Sequence, residues 1–552
     1  VKGPMTTRFR SPRPGGILRV SGLLLLATLV SGGLWQAFKG AAADSGLSAT
    51  AGCLGGDEAI VPAGVFSRGS ILDRSGVVLA TNRSTWAVGV KTAALPAEEN
   101  WLPRFSGILG LDPQVLKRKV LGNEHFVWIK ADLTPKELSS LDGVLRDGIE
   151  VVQGTRRMYP YGTLAAAVLG FVDRGGRGLE GIEYAYDRRL ADRGPPAQAG
   201  ADHDLALTLE WSLQFAAEKE LQTQLSRLDA ERGCFVITSA EDGQILAMAN
   251  SPSWNPGTFW KADPALITNL ALKDTVEPTA VLHLANWLAH TRDTLIAQGL
   301  PEASSPNTPG LGAPPTATGG TARKWHWETP ADSIVFWSPW TREEIQGSEF
   351  HPDILPVLWS LGFGQTTGID LPGEAPGRLP PTLAGSWETV RHQGLKASPL
   401  QVLRVFSTLV NGGKIITPHV ALGKHAETSP SVWELPLPEG SRGASVLDEL
   451  VKQSRELLAV GAGPSLASVK WKGRSEGPSP GDRGDAVVLG FWPPTAPKVT
   501  YILALEGLSK DPRDRKGTLG RAVNIAQLAS NIPLGVSRPQ DRTVLAAREK
   551  HK

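Results

Sequence analysis

Residues 68–80 read Arg-Gly-Ser-Ile-Leu-Asp-Arg-Ser-Gly-Val-Val-Leu-Ala. Two strand-like runs, Ser70–Leu72 and Val77–Ala80, flank Asp73-Arg74-Ser75-Gly76, whose residue types suit a tight turn. The segment predicts a β-hairpin, with Arg68, Asp73 and Arg74 as an ion-pair cluster holding it to its neighbours. A second stretch, 269–290, reads NLALKDTVEPTAVLHLANWLAH. Glu277-Pro278 ahead of an apolar run marks a loop entering a helix, with proline near the first turn and an acid at the positive end. That first turn offers Thr279 and, four residues on, His283.

Composition narrows the classes around these stretches. The chain has 552 residues, enough for two or three domains with real cores. Lys plus Arg number 57 against 55 for Asp plus Glu, a near-neutral balance that suggests neither a nucleic-acid binder nor a disordered acidic protein. Cysteine is limited to Cys53 and Cys234, which excludes a disulfide framework and a cysteine-based zinc site.

Lys2, Arg8, Arg10, Arg13 and Arg19 precede an uncharged run, Val20–Phe38, long enough to cross a bilayer as a helix. The charge asymmetry predicts a cytoplasmic N-terminus and an extracytoplasmic remainder. A cleaved signal peptide is the competing reading, since Ala41-Ala42-Ala43 suits a signal peptidase. Residues 40–60 are small and polar, a tether. Further on, Trp211–Leu228 places Leu213, Ala217, Leu221, Leu225 and Leu228 on one helix face, with Glu218, Lys219 and Arg227 mostly on the other. Cys234–Ile237 and Gln244–Met248 read as strands around a Glu241-Asp242-Gly243 turn, making Cys234 a buried strand residue. Val487–Phe491 and Val499–Ala504 read as two more strands, and Ala522–Ser530 as a closing helix.

The 68–80 segment resembles the signature that opens the extracytoplasmic part of class B penicillin-binding proteins. The resemblance continues in order along most of the chain. Arg157-Met-Tyr-Pro-Tyr-Gly162, Ala167–Val172, Gly178-Leu-Glu-Gly-Ile-Glu183 with Tyr186-Asp187, and Leu190 look like that family's pedestal. Leu207–Glu210 with Gln214, Asp242–Ala249 and Ser251–Pro256 look like the entry to its transpeptidase domain. So do Gly362-Phe-Gly364, Thr367-Gly-Ile-Asp-Leu-Pro-Gly-Glu374, Gly377, Gln393-Gly394, Ser398-Pro-Leu-Gln401, Asn411-Gly-Gly413 and Pro418. The implied fold is α+β: a membrane anchor, a β-rich dimerisation-like pedestal, and a serine β-lactamase-like transpeptidase domain with an antiparallel sheet flanked by helices. The implied boundaries are a cytoplasmic basic tail (1–19), a transmembrane helix (20–38), a linker (39–60), the pedestal (61–200), the transpeptidase-like domain (201–535, with a flexible insert at 300–322) and a C-terminal tail (536–552).

The family's chemistry rests on Ser-x-x-Lys at a helix N-terminus, Ser-x-Asn on a loop and Lys-Thr/Ser-Gly on a strand. Three-residue spacing puts the serine hydroxyl and the lysine amine on one helix face, where the amine can take the proton. Here Glu277-Pro278-Thr279-Ala280-Val281-Leu282-His283 stands at the first motif, with Ala280 at the nucleophile's place and His283 at the lysine's. Ser338-Pro339-Trp340 is the candidate for the second, with Trp340 where the asparagine should be; Ser333-Ile334-Val335 fits less well. Lys472-Gly473-Arg474 stands at the third, keeping the lysine and losing the Thr/Ser-Gly order. A Thr279–His283 nucleophile–base pair is a salvage reading; its structural counterpart is Thr279 capping the helix with His283 filling space. His283 with His290 lacks a third ligand, so no metal is expected, and the resemblance implies no cofactor.

Two function classes follow. One is a membrane-anchored, non-catalytic scaffold of cell-wall synthesis, whose partners by resemblance are a polytopic glycan polymerase and other cell-wall assembly proteins, with peptidoglycan stem peptides as a further ligand. The other is an active, penicillin-binding D,D-transpeptidase with rearranged catalytic residues. The pedestal motif Arg68, Gly69, Asp73, Arg74 and Gly76 is kept better than the catalytic motifs, which favours docking.

Overall fold

In the N-terminal part of the computed structural model, Ile71–Leu72 and Val78–Lys91 form the expected hairpin, antiparallel with Ile71 opposite Ala80. The structure describes residues 67–94, 101–121, 125–142, 148–192, 203–276, 278–297, 326–331, 334–338, 349–383, 394–423, 431–432, 466–472, 483–493, 496–510, 526 and 529–531. The basic tail, the apolar run 20–38, the tether and Cys53 lie outside the described residues, as does the insert at 300–322. Among the described residues no helix is long and apolar enough to cross a membrane. Of the closing helix only Ala526 and residues 529–530 are described, and they are helical.

The long strand Val78–Lys91 organises the pedestal. It pairs antiparallel with Ile149–Met158 along most of its length and with Phe126–Lys130 toward its end. Helices Leu102–Leu109, Pro113–Leu121 and Pro135–Leu141 cover this sheet and share its core, built from Val88, Val90, Phe105, Leu109, Leu116, Ile129 and Leu141. The base of the pedestal belongs to a different core. Ile71, Leu79, Val168, Ile182 and Leu190 join Leu207, Leu213 and the strands of the C-terminal domain in one continuous cluster. Leu205–Ala206 adds to Ile71–Leu72 in parallel, so the chain enters the second domain already hydrogen-bonded to the first.

The second domain is built on a seven-stranded sheet in the order His326–Ala331, Ile334–Ser338, Leu466–Lys472, Arg483–Trp492, Val499–Leu508, Arg232–Ser239, Ile245–Ser251. Every neighbouring pair in it is antiparallel. Ile245–Ser251 is buried at every position and Arg232–Ser239 at all but its first, which explains why these strands read as continuous apolar runs rather than alternating ones. Cys234 is buried as expected, and burial pushes its thiol pKa up, out of the reactive range. Helices Trp211–Leu228, Thr279–Ala297 and Pro399–Val410 pack against the sheet.

Two details depart from the sequence reading. On Trp211–Leu228 the five apolar residues are buried as expected, but Glu218 is not a solvent-facing charge: it accepts the Ala165 N–H at 2.7 Å and the Gln214 amide at 2.8 Å. Polar residues turn inward on this helix because the pedestal covers its second face, and Phe215 is left exposed instead. The antiparallel strand pair His326–Ala331 and Ile334–Ser338 has no counterpart among the strands expected from the sequence.

Candidate functional site

Thr279–Ala297 is the central helix of the second domain. Pro278 starts it, and its carbonyl accepts the Leu282 N–H at 2.8 Å. Val281, Leu282, Leu284, Ala285, Trp287, Leu288 and Ala289 are all buried, so apolar residues surround the helix on every side, as in a core helix rather than a surface one. Ala280 lies in the first turn, one residue after Thr279. Thr279 and His283 are both only 7% exposed.

The helix packs against Leu466–Lys472, so the elements carrying Ala280 and Lys472 are brought together. Ser338 is not. It ends a strand instead of sitting on a loop, and that strand runs antiparallel to Leu466–Lys472 with Ile334 opposite Lys470 and Trp337 opposite Ala467. Ser338 therefore lies toward the Leu466 end, about 20 Å along the strand from Lys472 at roughly 3.3 Å per residue. Sequence order placed Ser338 between the other two motifs; strand direction carries it away. Ser333, Pro339, Trp340, Gly473 and Arg474 lie outside the described residues.

His290 does not join His283. Its Nε2 sits 3.1 Å from the Glu349 carbonyl, and its ring meets His351 edge-on at 4.9 Å. His351 Nδ1 accepts the Asp353 N–H, which leaves Nε2 to donate to Asp293 at 2.8 Å. Burial raises the Asp293 carboxyl, but the Arg292 guanidinium and His351 outweigh it and hold the pKa below the usual range. Asn286 completes the contact by accepting the His351 N–H at 2.8 Å. These groups fasten residues 349–353 to the helix. Among the described residues no group of three His, Cys, Asp or Glu is placed to hold a metal ion.

The pedestal motif resolves into two separate devices. Arg68 donates from Nε to Glu183 Oε2 at 2.5 Å, from Nη1 to Asp187 Oδ1 at 2.7 Å, and from Nη2 to the Glu183 carbonyl at 2.6 Å. Arg157 donates from Nε to the other Glu183 oxygen at 2.7 Å, and from Nη1 to Gly69 O and Asn82 Oδ1. Glu183 is fully buried, and each of its two oxygens accepts from a guanidinium group inside the protein. Asp73 is not part of this cluster. Its Oδ1 accepts the Ser75 and Val77 N–H groups, and its Oδ2 the Trp211 N–H at the start of the helix that follows. The expected ion-pair cluster holding the hairpin to its neighbours is present at Arg68 and is corrected at Asp73. Arg68 pairs with residues over a hundred positions away, which a local reading cannot supply, while Asp73 serves backbone donors. Burial lowers the Arg74 pKa, against the pull of Glu210, Asp242 and Asp73. Gly76 closes the turn at φ +89°, and a Cβ on Gly69 would lie 2.0 Å from the His203 carbonyl oxygen.

Motifs further along the chain also have structural roles. Asp370 accepts the Val420 and Ala421 N–H groups and the Tyr186 hydroxyl, while Glu374 accepts the Thr367 and Gly368 N–H groups. Ser398 and Gln401 form a reciprocal capping box at the start of Pro399–Val410.

A β-rich pedestal sharing its core with a seven-stranded antiparallel sheet, and a buried central helix running beside that sheet, define the architecture of a penicillin-binding transpeptidase. The penicillin-binding protein dimerisation domain matches residues 65–193, and the penicillin-binding protein transpeptidase domain matches residues 353–437. The latter match contains neither Ala280 nor Lys472. The chain is 26% identical over 378 residues to a probable peptidoglycan D,D-transpeptidase, PbpC, of Pseudomonas aeruginosa, covering 63% of this chain and 66% of that protein. It is 27% identical over 391 residues to stage V sporulation protein D of Bacillus subtilis, covering 64% and 59%. The chain thus spans less than two thirds of the length of these relatives. Penicillin-binding protein 2 of Helicobacter pylori, solved in complex with MreC, shares the fold, with a TM-score of 0.57 and 19% identity over 85% of this chain and 99% of that one. The chain carries penicillin-binding protein dimerisation and transpeptidase domains, and its relatives are class B penicillin-binding proteins.

Proposed function

We propose that this protein is a non-catalytic scaffold of peptidoglycan synthesis, a penicillin-binding-protein homologue with a degenerate active site. The observation that carries this reading is Ala280 in the first turn of the central helix, where the family's serine would stand. A methyl group cannot attack a carbonyl, and His283 in the lysine's place has no hydroxyl at position 280 to activate. Lys472 stays on its strand without the Thr/Ser-Gly that should follow it. What the sequence keeps better than the catalytic motifs is the pedestal motif, whose Arg68 shares the buried Glu183 with Arg157. Val20–Phe38 acts as a single-pass anchor with the N-terminus in the cytoplasm and the bulk outside, and the pedestal docks a glycan polymerase or another cell-wall assembly protein. That a protein of this fold from Helicobacter pylori forms a complex with MreC supports a docking role.

The test is acylation. Loss of the nucleophile in a serine hydrolase costs on the order of 10⁶ in rate. No covalent labelling by a fluorescent penicillin is expected under conditions that label an intact family member. A β-lactam adduct found by intact-mass spectrometry, on Thr279 or any other cleft side chain, overturns the scaffold reading in favour of a rearranged transpeptidase.

A further inference from the structure

The strand Leu466–Lys472 packs on the central helix, and on the scaffold reading its Lys472 is the remnant of the third catalytic motif and the strand is the wall of the degenerate site. One side of it pairs with Arg483–Trp492 from Leu466 opposite Leu489 to Lys472 opposite Arg483. The other side pairs with the hairpin, Ala467 to Lys470 lying opposite Trp337 to Ile334. Without the hairpin this side would be the edge of the sheet, a row of unpaired backbone donors and acceptors. Such an edge is a template for an extended peptide, which binds by adding itself as a further strand.

We propose that the hairpin His326–Ser338 is a built-in occupant of this peptide-docking edge, closing the cleft wall to extended peptide ligands such as stem peptides. The inference rests on reading Leu466–Lys472 as the cleft wall and deepens the scaffold reading: the site is blocked at the backbone as well as altered at its side chains. The outer strand of the hairpin is a poor substitute edge. Pro330 has no N–H to offer, and the register shifts between Glu328 and Ala331. Bulges and prolines are how sheets end without recruiting another strand. The hairpin therefore terminates the sheet instead of passing the docking edge outward.

Cross-linking and exchange test the pairing in the full-length chain. Phe336 lies directly opposite Ser468, and antiparallel partners stand within disulfide reach. Phe336→Cys with Ser468→Cys is expected to form an intramolecular disulfide in the folded protein, while Phe336→Cys with Lys472→Cys is not. Amide exchange at 467–470 in the wild type should be slow. Binding of an acetylated Lys-D-Ala-D-Ala tripeptide is expected to be absent in the wild type and in the cross-linked form. It should rise at least tenfold when 326–338 is replaced by a Gly-Ser linker. Failure of the opposed pair to cross-link, fast exchange at 467–470, or equal tripeptide binding by the cross-linked protein and the linker variant overturns the proposal. Should the linker variant not fold, cross-linking and exchange still decide. A penicillin adduct alongside an efficient cross-link would overturn the scaffold reading and leave the hairpin assignment standing; no adduct and no cross-link would do the reverse.

Discussion

The Tyr186 hydroxyl donates to Asp370 Oδ2 at 2.6 Å, and through it the last helical turns of the pedestal are tied to the Thr367–Glu374 turn of the second domain. Asp370 is buried and also accepts the Val420 N–H at 2.7 Å and the Ala421 N–H at 3.0 Å. Burial and the neighbouring carboxylate both raise the Tyr186 pKa, so the phenol stays a donor throughout the accessible pH range. Three donors from two parts of the chain converge on one carboxylate, and this makes the connection between the parts rigid.

An order of severity follows from that geometry. Tyr186→Phe removes one donor to a charged acceptor and should cost about 1.5–3 kcal/mol. Asp370→Ala strands two buried backbone N–H groups as well and should cost more. Urea unfolding of both variants checks the order; a Tyr186→Phe protein less stable than Asp370→Ala would contradict it.

The buried Arg68–Glu183–Arg157 group predicts a larger effect. Neutralising its centre by Glu183→Gln leaves two guanidinium groups in the interior with one carboxylate fewer, and breaking a buried pair in this way costs about 3–5 kcal/mol. Arg68→Ala should be comparable, because Glu183 then loses a partner it cannot replace with water. Thermal melting and limited proteolysis of the pedestal report this, and a change no larger than that of an exposed ion pair such as Lys91–Glu150 would count against it.

Glu218 makes stability depend on pH in a defined direction. Burial pushes its carboxyl pKa up, against the opposing pull of the Ala165 N–H and the Gln214 amide. The native state then binds the proton more tightly than the unfolded chain, whose Glu titrates near about 4.3. The contribution of Glu218 is most favourable below that value and is lost as pH rises through the folded pKa. Glu218→Gln should therefore gain stability relative to wild type as pH rises from about 4 to 7. A wild-type-to-variant difference that stays flat over this range would refute the assignment.

The proposed scaffold reading predicts that a serine placed at position 280 does not bring acylation. Ala280→Ser puts a hydroxyl in the first turn, but on the proposed reading His283 still stands for the lysine and Gly473-Arg474 for Thr/Ser-Gly. Penicillin labelling of the single variant is expected to stay at background; strong labelling would show that the rest of the machinery is intact.

The capping box at Pro399–Val410 supplies a modest control. Ser398→Ala should destabilise by about 1 kcal/mol, the usual cost of losing an N-cap side chain, without altering the pedestal.

The sequence by itself determined whatever depends on local composition and order. The 68–80 hairpin was legible from its Asp-Arg-Ser-Gly turn between two apolar runs. The central helix was legible from Pro278 and the apolar run behind it, and the buried strands around Cys234 and Val499 from their unbroken hydrophobicity. The order of motifs carried the family resemblance, and under that resemblance Ala280 aligns with the nucleophile. Tertiary structure alone decided the partners. Arg68 meets Glu183 and Asp187 because the pedestal folds back on itself, and Asp73 turns from an assumed ion pair to backbone donors because the helix beginning at Trp211 arrives beside it. Glu218 is drawn inward by the Ala165 N–H, a donor fifty-three positions away. The strand Leu466–Lys472 pairs with Ile334–Ser338, whose residues, IVFWS, do not reveal which strand they will join. Turn chemistry and periodicity act between near neighbours, whereas ion pairing and strand register join groups that only the completed chain brings together.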